Sequence, residues 1–371
     1  MTTLGLCLVP TAHAANIKID WLRDESMAVA RGYDSVTGEV RGDCITNAPV
    51  VPPSGAAGQV SRYELKLAEN SRQLEESLNI TAEASARAFI FGASSKTKFI
   101  SSKNINSLST FVIIRMQVLN PTQSMISPSI SPLLLDVLKK EGAASFREKC
   151  GDYFVTGYTS GAEFIAILKL DSSTEQEKKD LSTSLSANMG IFSASAEFND
   201  SFSKLKYKAK SELIVLQNGG DSEKSPIDLQ GITDRASNMP VLALNKPIPI
   251  SPILRPYDEI PEYISLVKQP FVLSEASNFI ARVSAEIVRE RNRFFTLNDI
   301  LDSGRYVLGS SEQIKAYHLA RHNVIANLNL LRSAYLSCSN TLFEKRVDNQ
   351  KSPCQSDIQL KPSSFELPAK K

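Results

Sequence analysis

Two stretches of this chain alternate polar and apolar residues without a break. They limit what it can fold into more than any other feature. In the first, Asn79, Thr81, Glu83, Ser85 and Arg87 alternate with Ile80, Ala82, Ala84, Ala86 and Ala88. In the second, Leu181, Thr183, Leu185, Ala187, Met189 and Ile191 alternate with Ser182, Ser184, Ser186, Asn188 and Gly190. A period of two sorts side chains onto opposite faces of a β-strand. The Ala and Glu of the first stretch nevertheless favour helix, so pattern and propensity disagree. Past Ile191 the phase slips once: Phe192, Ala194, Ala196 and Phe198 alternate with Ser193, Ser195, Glu197 and Asn199, as a turn or bulge would produce. Each block is about ten residues long, the length of a strand that spans a bilayer. Ordinary amphipathic segments on a soluble sheet would alternate in the same way.

Helical crossing of a membrane is excluded by the rest of the chain. No apolar run approaches the ~18–20 residues a spanning helix needs. The longest candidates, Phe111–Ile114 and Leu133–Leu138, are interrupted by Arg115 and Asp136. A crossing by this chain therefore has to use β-strands, which also satisfy their backbone groups in lipid. The 42 Lys+Arg against 40 Asp+Glu leave a net charge of +2, which argues against a nucleic-acid partner. With 42% hydrophobic and 22% charged residues the chain is globular and not disordered.

The start reads as a signal peptide over 1–14. Leu4-Gly5-Leu6-Cys7-Leu8-Val9 is apolar, and Ala12-His13-Ala14 fits a small-x-small cleavage site. Cleavage there leaves Cys44, Cys150, Cys338 and Cys354. An even set in an exported protein suggests disulfides, with three connectivities open. Cys338 and Cys354, close in sequence, are expected to pair, which leaves Cys44 with Cys150; four unpaired buried thiols are the alternative.

Strands are expected at Arg62–Lys66, at 106–119 with Asn120-Pro121 ending it, at Tyr153–Leu170, and through Leu213–Leu216 to a turn at Asn218-Gly219-Gly220-Asp221. Leu133–Lys140 suits a helix, and Asp171-Ser172-Ser173-Thr174 with Glu177 caps another. The proline-rich passage 240–261 is expected to exclude regular helix. From Ser274 helical spacing takes over, with Ile280, Val283, Ile287 and Val288, then Ile314, Tyr317, Leu319, Val324, Leu328, Leu331 and Leu336. The organisation is thus 1–14 signal peptide, 15–270 sheet-bearing domain, and 271–371 a helical appendage with a polar tail. Ser274–Asn292 and Ser311–Cys338 are expected to pack as antiparallel helices against the sheet domain.

Residues 150–162 read Cys-Gly-Asp-Tyr-Phe-Val-Thr-Gly-Tyr-Thr-Ser-Gly-Ala. This resembles the signature of the membrane attack complex/perforin (MACPF) family: aromatic, Gly, Thr or Ser, His, aromatic, six residues, Gly-Gly. Gly151, Phe154 and Gly161 match; Cys150, Asp152, Tyr153 and Ala162 depart from it. The order around the motif is also similar. Gly32-Tyr33-Asp34 precedes it, the stretches 70–105 and 171–208 lie where the family has two helical clusters, and a Pro/Ile-rich passage follows at 239–250. The resemblance covers about 30–265. It implies an α+β fold: a bent, twisted antiparallel four-stranded sheet with two helical clusters. It also implies that the clusters refold into pore-lining β-hairpins after ring assembly, with Gly151, Tyr153, Phe154, Gly157 and Gly161 as signature and hinge. Ile80, Ala82, Ala84, Ala86, Ala88, Leu181, Leu185, Ala187, Met189 and Ile191 would then face lipid.

Other chemistry finds little support. His318 and His322 share a helix face, but no third ligand is in sight and no metal is expected. No phosphate loop, nucleophile elbow or positioned acid–base pair stands out, so no catalytic residue and no cofactor is nominated. Lys204, Lys206, Lys208 and Lys210 alternate on one face and suit either anionic headgroups or a lysine-protected edge. The expected function is an exported pore-forming protein, membrane-associated once assembled. Its partners are membrane lipid or a surface receptor, and other copies of itself in rings or arcs. The alternative is a non-lytic secreted binding or adhesion protein on the same scaffold.

Overall fold

The computed structural model describes residues 19–20, 22, 26–46, 49–52, 58–91, 108–189, 210–220, 229–267, 274–304, 306–341, 354 and 357–369. The chain opens with four strands: β1 (Arg31–Tyr33), β2 (Val40–Asp43), β3 (Val50–Val51) and β4 (Val60–Ala68). Helices α1 (Ser71–Ser77) and α2 (Ala82–Phe91) follow, then the long strand β5 (Ser109–Met125). Next come α3 (Pro132–Lys140), α4 (Ala143–Cys150), the longest strand β6 (Tyr153–Asp171), α5 (Glu175–Met189) and β7 (Lys210–Asn218). After these are α6 (Leu229–Asn245), β8 (Ile248–Pro256), a 3-10 turn (Tyr257–Glu259) and α7 (Pro261–Leu266). Two long helices, α8 (Ser274–Asp302) and α9 (Ser311–Thr341), complete the order.

The expected α+β class is what the structure has, and the expected plan of an antiparallel sheet with two helical clusters is present. The described residues form eight strands, not four, yet four lie side by side through the upper sheet. Strand β5 pairs with β6 from Ser109↔Asp171 to Ser124↔Gly157. On the outer edge of β5, β4 pairs over Val60–Ala68 and β3 lower down at Val50–Val51. On the outer edge of β6, β7 pairs over Glu163–Asp171 and β8 over Tyr153–Gly161. The central strands are thus each flanked by two short strands in succession, and the handover on β6 falls at Gly161. A Cβ on Gly161 would lie 1.9 Å from the Val118 carbonyl oxygen, so only glycine allows this approach. The β5–β6 register shifts between Leu119 and Thr122 at the same level, where a change in sheet direction is placed most easily.

Two proline expectations are corrected. Asn120-Pro121 does not end the strand; β5 runs on to Met125, because Pro121 falls inside the register shift, where a missing N–H costs no ladder bond. Nor does Pro240 exclude helix: α6 continues through it to Asn245 before the chain extends as β8. Burial of Ile232, Ala236, Met239 and Ala243 against the sheet outweighs the lost backbone bond.

Capping follows the sequence closely. The Thr174 hydroxyl accepts from the Glu177 N–H at 3.1 Å, and the Glu177 carboxylate accepts from the Ser173 N–H at 2.8 Å. Both expected disulfides are formed, Cys44–Cys150 and Cys338–Cys354. The first fastens the residue directly after β2 to the end of α4, just before β6. Helices α8 and α9 run antiparallel, with Arg321 near Asp302 and Asn327 on Glu290. They pack against the sheet-bearing domain through α2 and not through the sheet itself: Val36, Ala86 and Ile90 join their core. Among the described residues no helix is long and apolar enough to cross a membrane. The signal-peptide stretch 1–14 lies outside the described residues.

Candidate functional site

The described residues of the two alternating stretches are helical from Ala82 in the first and as far as Met189 in the second. Asn79, with φ 58°, breaks α1 from α2. The stretch then enters a helix of ten residues, where the Thr81 hydroxyl accepts from the Ala84 N–H at 3.2 Å. Helical winding scatters the period-two pattern around the axis. Ile80 and Ala86 are buried, whereas Ala82, Ala84 and Ala88 are half-buried. Of the polar residues that alternate with them, Ser85 is fully buried and donates to the Glu75 carboxylate, and Glu83 and Arg87 are half-buried. The soluble packing therefore draws on both halves of the pattern.

The second stretch forms the later turns of α5. Leu181 and Leu185, one helical turn apart, are buried against the sheet, and Ser186 is exposed. Ala187 and Met189 belong to the helix by backbone; Ile191 and the lysines at 204, 206 and 208 lie outside the described residues.

The sheet has two unlike faces. Under α5 and α6 lie Val112, Ile114, Met116, Val118, Phe164, Ala166, Leu168 and Leu170, an unbroken apolar layer. Under α1 and α2 lie Phe111, Ile113, Ile165 and Ile167 together with charged groups. Arg115 donates to Glu163 at 2.6 and 2.9 Å with both side chains buried. Glu64 is 3.7 Å from Arg115, and Lys169 pairs with Asp171 at 2.8 Å. With its amide turned to present oxygen, Asn79 accepts from Arg115 and closes the pair from above. Burying these charges is tolerable only because they are paired and hydrogen-bonded.

The signature residues run from the end of α4 to the middle of β6. Gly151 has φ 74°, and a Cβ there would lie 2.2 Å from the Tyr33 carbonyl oxygen. The structure therefore needs a glycine here for close passage of β1. Phe154 is fully buried among Phe146, Tyr257 and Ile260. Tyr153 is half-buried; burial, with the carboxylates of Asp152, Asp258 and Glu259, pushes its phenol up to about 12. Gly157 sits where the β6–β8 register shifts. Asp152 accepts from the Ser35 N–H at 2.7 Å and from the Ser35 hydroxyl at 2.5 Å. Burial pushes its carboxyl up to about 6; Arg147 pulls it down, Asp34 raises it further, and the Ser35 bonds lower it.

Sequence reasoning found the alternating stretches, the signature and the cysteines. It missed the Arg115–Glu163 pair and the Asp34–Asp152–Arg147 group. A lone Arg115 within an apolar strand was the available signal, but its partner is 48 residues away. His318 and His322 stand exposed on α9, and among the described residues no three candidate metal ligands gather.

No family model and no curated protein matches this chain. Among solved structures it is similar to stonustoxin, at 9% identity and TM-score 0.49 over 89% of this chain and 42% of that one. It is also similar to GNIP1Aa from Chromobacterium piscinae, at 14% identity and TM-score 0.42 over 74% of this chain and 57% of that one. A third is a putative cell invasion protein with a MAC/Perforin domain from Bacteroides thetaiotaomicron, at 12% identity and TM-score 0.28 over 65% of this chain and 52% of that one. Each is a likeness of fold and nothing finer, and the chain spans less than two thirds of the length of each.

Proposed function

We propose that this chain, a divergent example of the MACPF fold, binds membranes, assembles into rings or arcs, and inserts β-hairpins refolded from its two helical clusters. One observation carries the reading. Both stretches alternate with a strand's period, yet their described residues wind into helices, and in α2 the packing does not follow the alternation. In α2 the neighbours Ser85 and Ala86 are both fully buried, although the pattern assigns them to opposite faces. A helix facing a core needs apolar residues at i, i+3, i+4 and i+7. A perfect period of two is therefore surplus to the soluble state, and it suits a second, extended one. In that state Ala82, Ala84, Ala86, Leu185, Ala187 and Met189 face lipid, and Glu83, Ser85, Arg87, Ser184, Ser186 and Asn188 face water.

Dye leakage from liposomes tests this. An arginine on the lipid side near mid-bilayer costs roughly 2–4 kcal/mol per strand, repeated in every subunit. Ala187→Arg should abolish leakage, and the adjacent exposed Ser186→Arg should leave it largely unchanged. Equal behaviour of the two variants would remove the refolding reading.

The non-lytic binding reading keeps one observation in its favour. Ala162, where the signature has its second glycine, is fully buried in the apolar layer and pairs with Val118. Its methyl packs the sheet at the level where a hinge would bend. Wild-type protein that binds liposomes without leakage would favour that reading.

A further inference from the structure

Several polar contacts of the two C-terminal helices reach the first helical cluster and the turn beside it. Arg291 of α8 donates to Glu75 of α1, whose carboxylate also accepts from Ser85 of α2, so one carboxylate joins three helices. The Ser71 hydroxyl donates to the Asn292 side chain at 3.1 Å. Arg332 of α9 donates to the Ile90 carbonyl at 3.3 Å. That carbonyl is in the last turn of α2, where the helix itself offers no partner, and a cation there also suits the helix dipole. The buried Tyr335 hydroxyl donates to the Val36 carbonyl at 2.6 Å.

The Val36 contact reaches further than its own bond. Val36 lies in a turn held by Asp34, whose carboxylate accepts from the Val36 and Thr37 N–H groups at 3.0 Å each. The neighbouring Ser35 carbonyl accepts from Arg87 of α2 at 3.3 Å, and the Ser35 N–H and hydroxyl bind Asp152 at the start of β6. A single turn therefore joins α9, α2 and the signature strand. Apart from Arg87, none of these residues is used by the refolding argument above.

Helix α2 needs this support. At ten residues it is below the roughly 12–15 at which an isolated helix becomes even marginally stable. Its Ala86 and Ile90 are buried in the core built by α8 and α9, whereas only the half-buried Ala84 packs on the sheet core. Its helical state thus depends more on the C-terminal pair than on the sheet it covers.

We infer that α8 and α9 form a clasp on the first helical cluster, fastened by Arg291 on Glu75, Arg332 on Ile90 and Tyr335 on Val36, which has to open before α2 can leave the sheet. The purpose of the clasp rests on the refolding reading; its existence does not, and the experiment separates the two. Hydrogen exchange is measured on the full chain in solution, without membranes, for wild type, Arg291→Met and Tyr335→Phe. Each variant removes one fastening and leaves the apolar packing in place. Peptides covering 82–91 should exchange about tenfold faster or more, the scale of one lost hydrogen bond to a charged or buried group, while α3 and α6 keep wild-type rates. Arg332→Met replaces either variant if that one fails to fold. Unchanged exchange at 82–91, or equal loosening of α3 and α6, overturns the clasp. Liposome leakage by the same proteins then reports on its purpose. Faster leakage in the variants supports a clasp that gates insertion. Faster exchange without leakage by any of the proteins leaves the clasp standing and removes the refolding reading instead.

Discussion

The two faces of the central sheet come from the same strands, yet they are covered in opposite ways. The face under α5 and α6 is apolar throughout, from Val112 to Val118 on β5 and from Ala162 to Leu170 on β6. The face under α1 and α2 interleaves Phe111, Ile113, Ile165 and Ile167 with Arg115, Glu163 and Lys169. Lifting a cover from the apolar face would expose hydrocarbon to water, at about 25 cal/mol per Å². Lifting one from the charged face returns buried ions to water and recovers part of their desolvation cost. The difference teaches that burial need not mean permanence. The first cluster lies over a face that tolerates water and is held from outside by the C-terminal helices. The second is held by the sheet directly.

The largest effect expected from this contrast is on the apolar face. Phe164→Ala, at a fully buried side chain, should cost about 3–5 kcal/mol in urea unfolding. A cost below about 1 kcal/mol would mean that this layer is not the anchor of the sheet.

A somewhat smaller effect tests the charged face. Glu163→Leu alone should cost about 3 kcal/mol, because Arg115 stays buried after losing its close carboxylate partner, with Glu64 3.7 Å away. The double variant Arg115→Met/Glu163→Leu should recover most of that loss, since a well-packed apolar pair often replaces a buried ion pair without penalty. If the double variant is as unstable as the single one, pairing is not what makes the face tolerable. If it recovers, its first cluster should also leave the sheet less readily, and leakage should slow relative to wild type.

The smallest effect concerns Asp152, which fastens the turn that holds α2. Its carboxyl is raised to about 6 when folded, from 3.8. Its ionisation therefore opposes folding above about pH 6, and the penalty fades as the pH falls from 7 through 6 toward 4. Wild type should gain about 2 kcal/mol over that range relative to Asp152→Asn, read from paired urea titrations. The sign matters: acid relieves the burial cost of this carboxylate, so the fold as a whole gains at Asp152 as the pH falls. A parallel pH dependence in both proteins would show that Asp152 is not the titrating group.

Much of the local structure was legible in the sequence because its causes are local. The Thr174–Glu177 cap, the ends of β6 and the two long C-terminal helices follow from residues within a few positions of each other. The cysteines were paired correctly from spacing and elimination. The proline readings at Pro121 and Pro240 failed for a different reason. One proline fell into a register shift set by the partner strand, and the other was overridden by burial of a helix face on the sheet. The alternating stretches at 79–88 and 181–191 were legible as a conflict between pattern and propensity, and the tertiary structure resolved it toward helix from Ala82 in the first and as far as Met189 in the second.

By itself, then, the sequence determined that this chain has long strands, two stretches able to be helix or strand, and a helical C-terminal part. Those follow from side-chain period, propensity and capping, all of which act within about one turn or one strand. Only the tertiary structure decided which cluster covers which face, that Arg115 meets Glu163, and that α8 and α9 close over α2 and not over the sheet. These depend on contacts between residues tens to hundreds of positions apart, such as Tyr335 on Val36 across 299 residues. A side chain's period states which face it belongs to, but what lies opposite that face is set by the path of the whole chain.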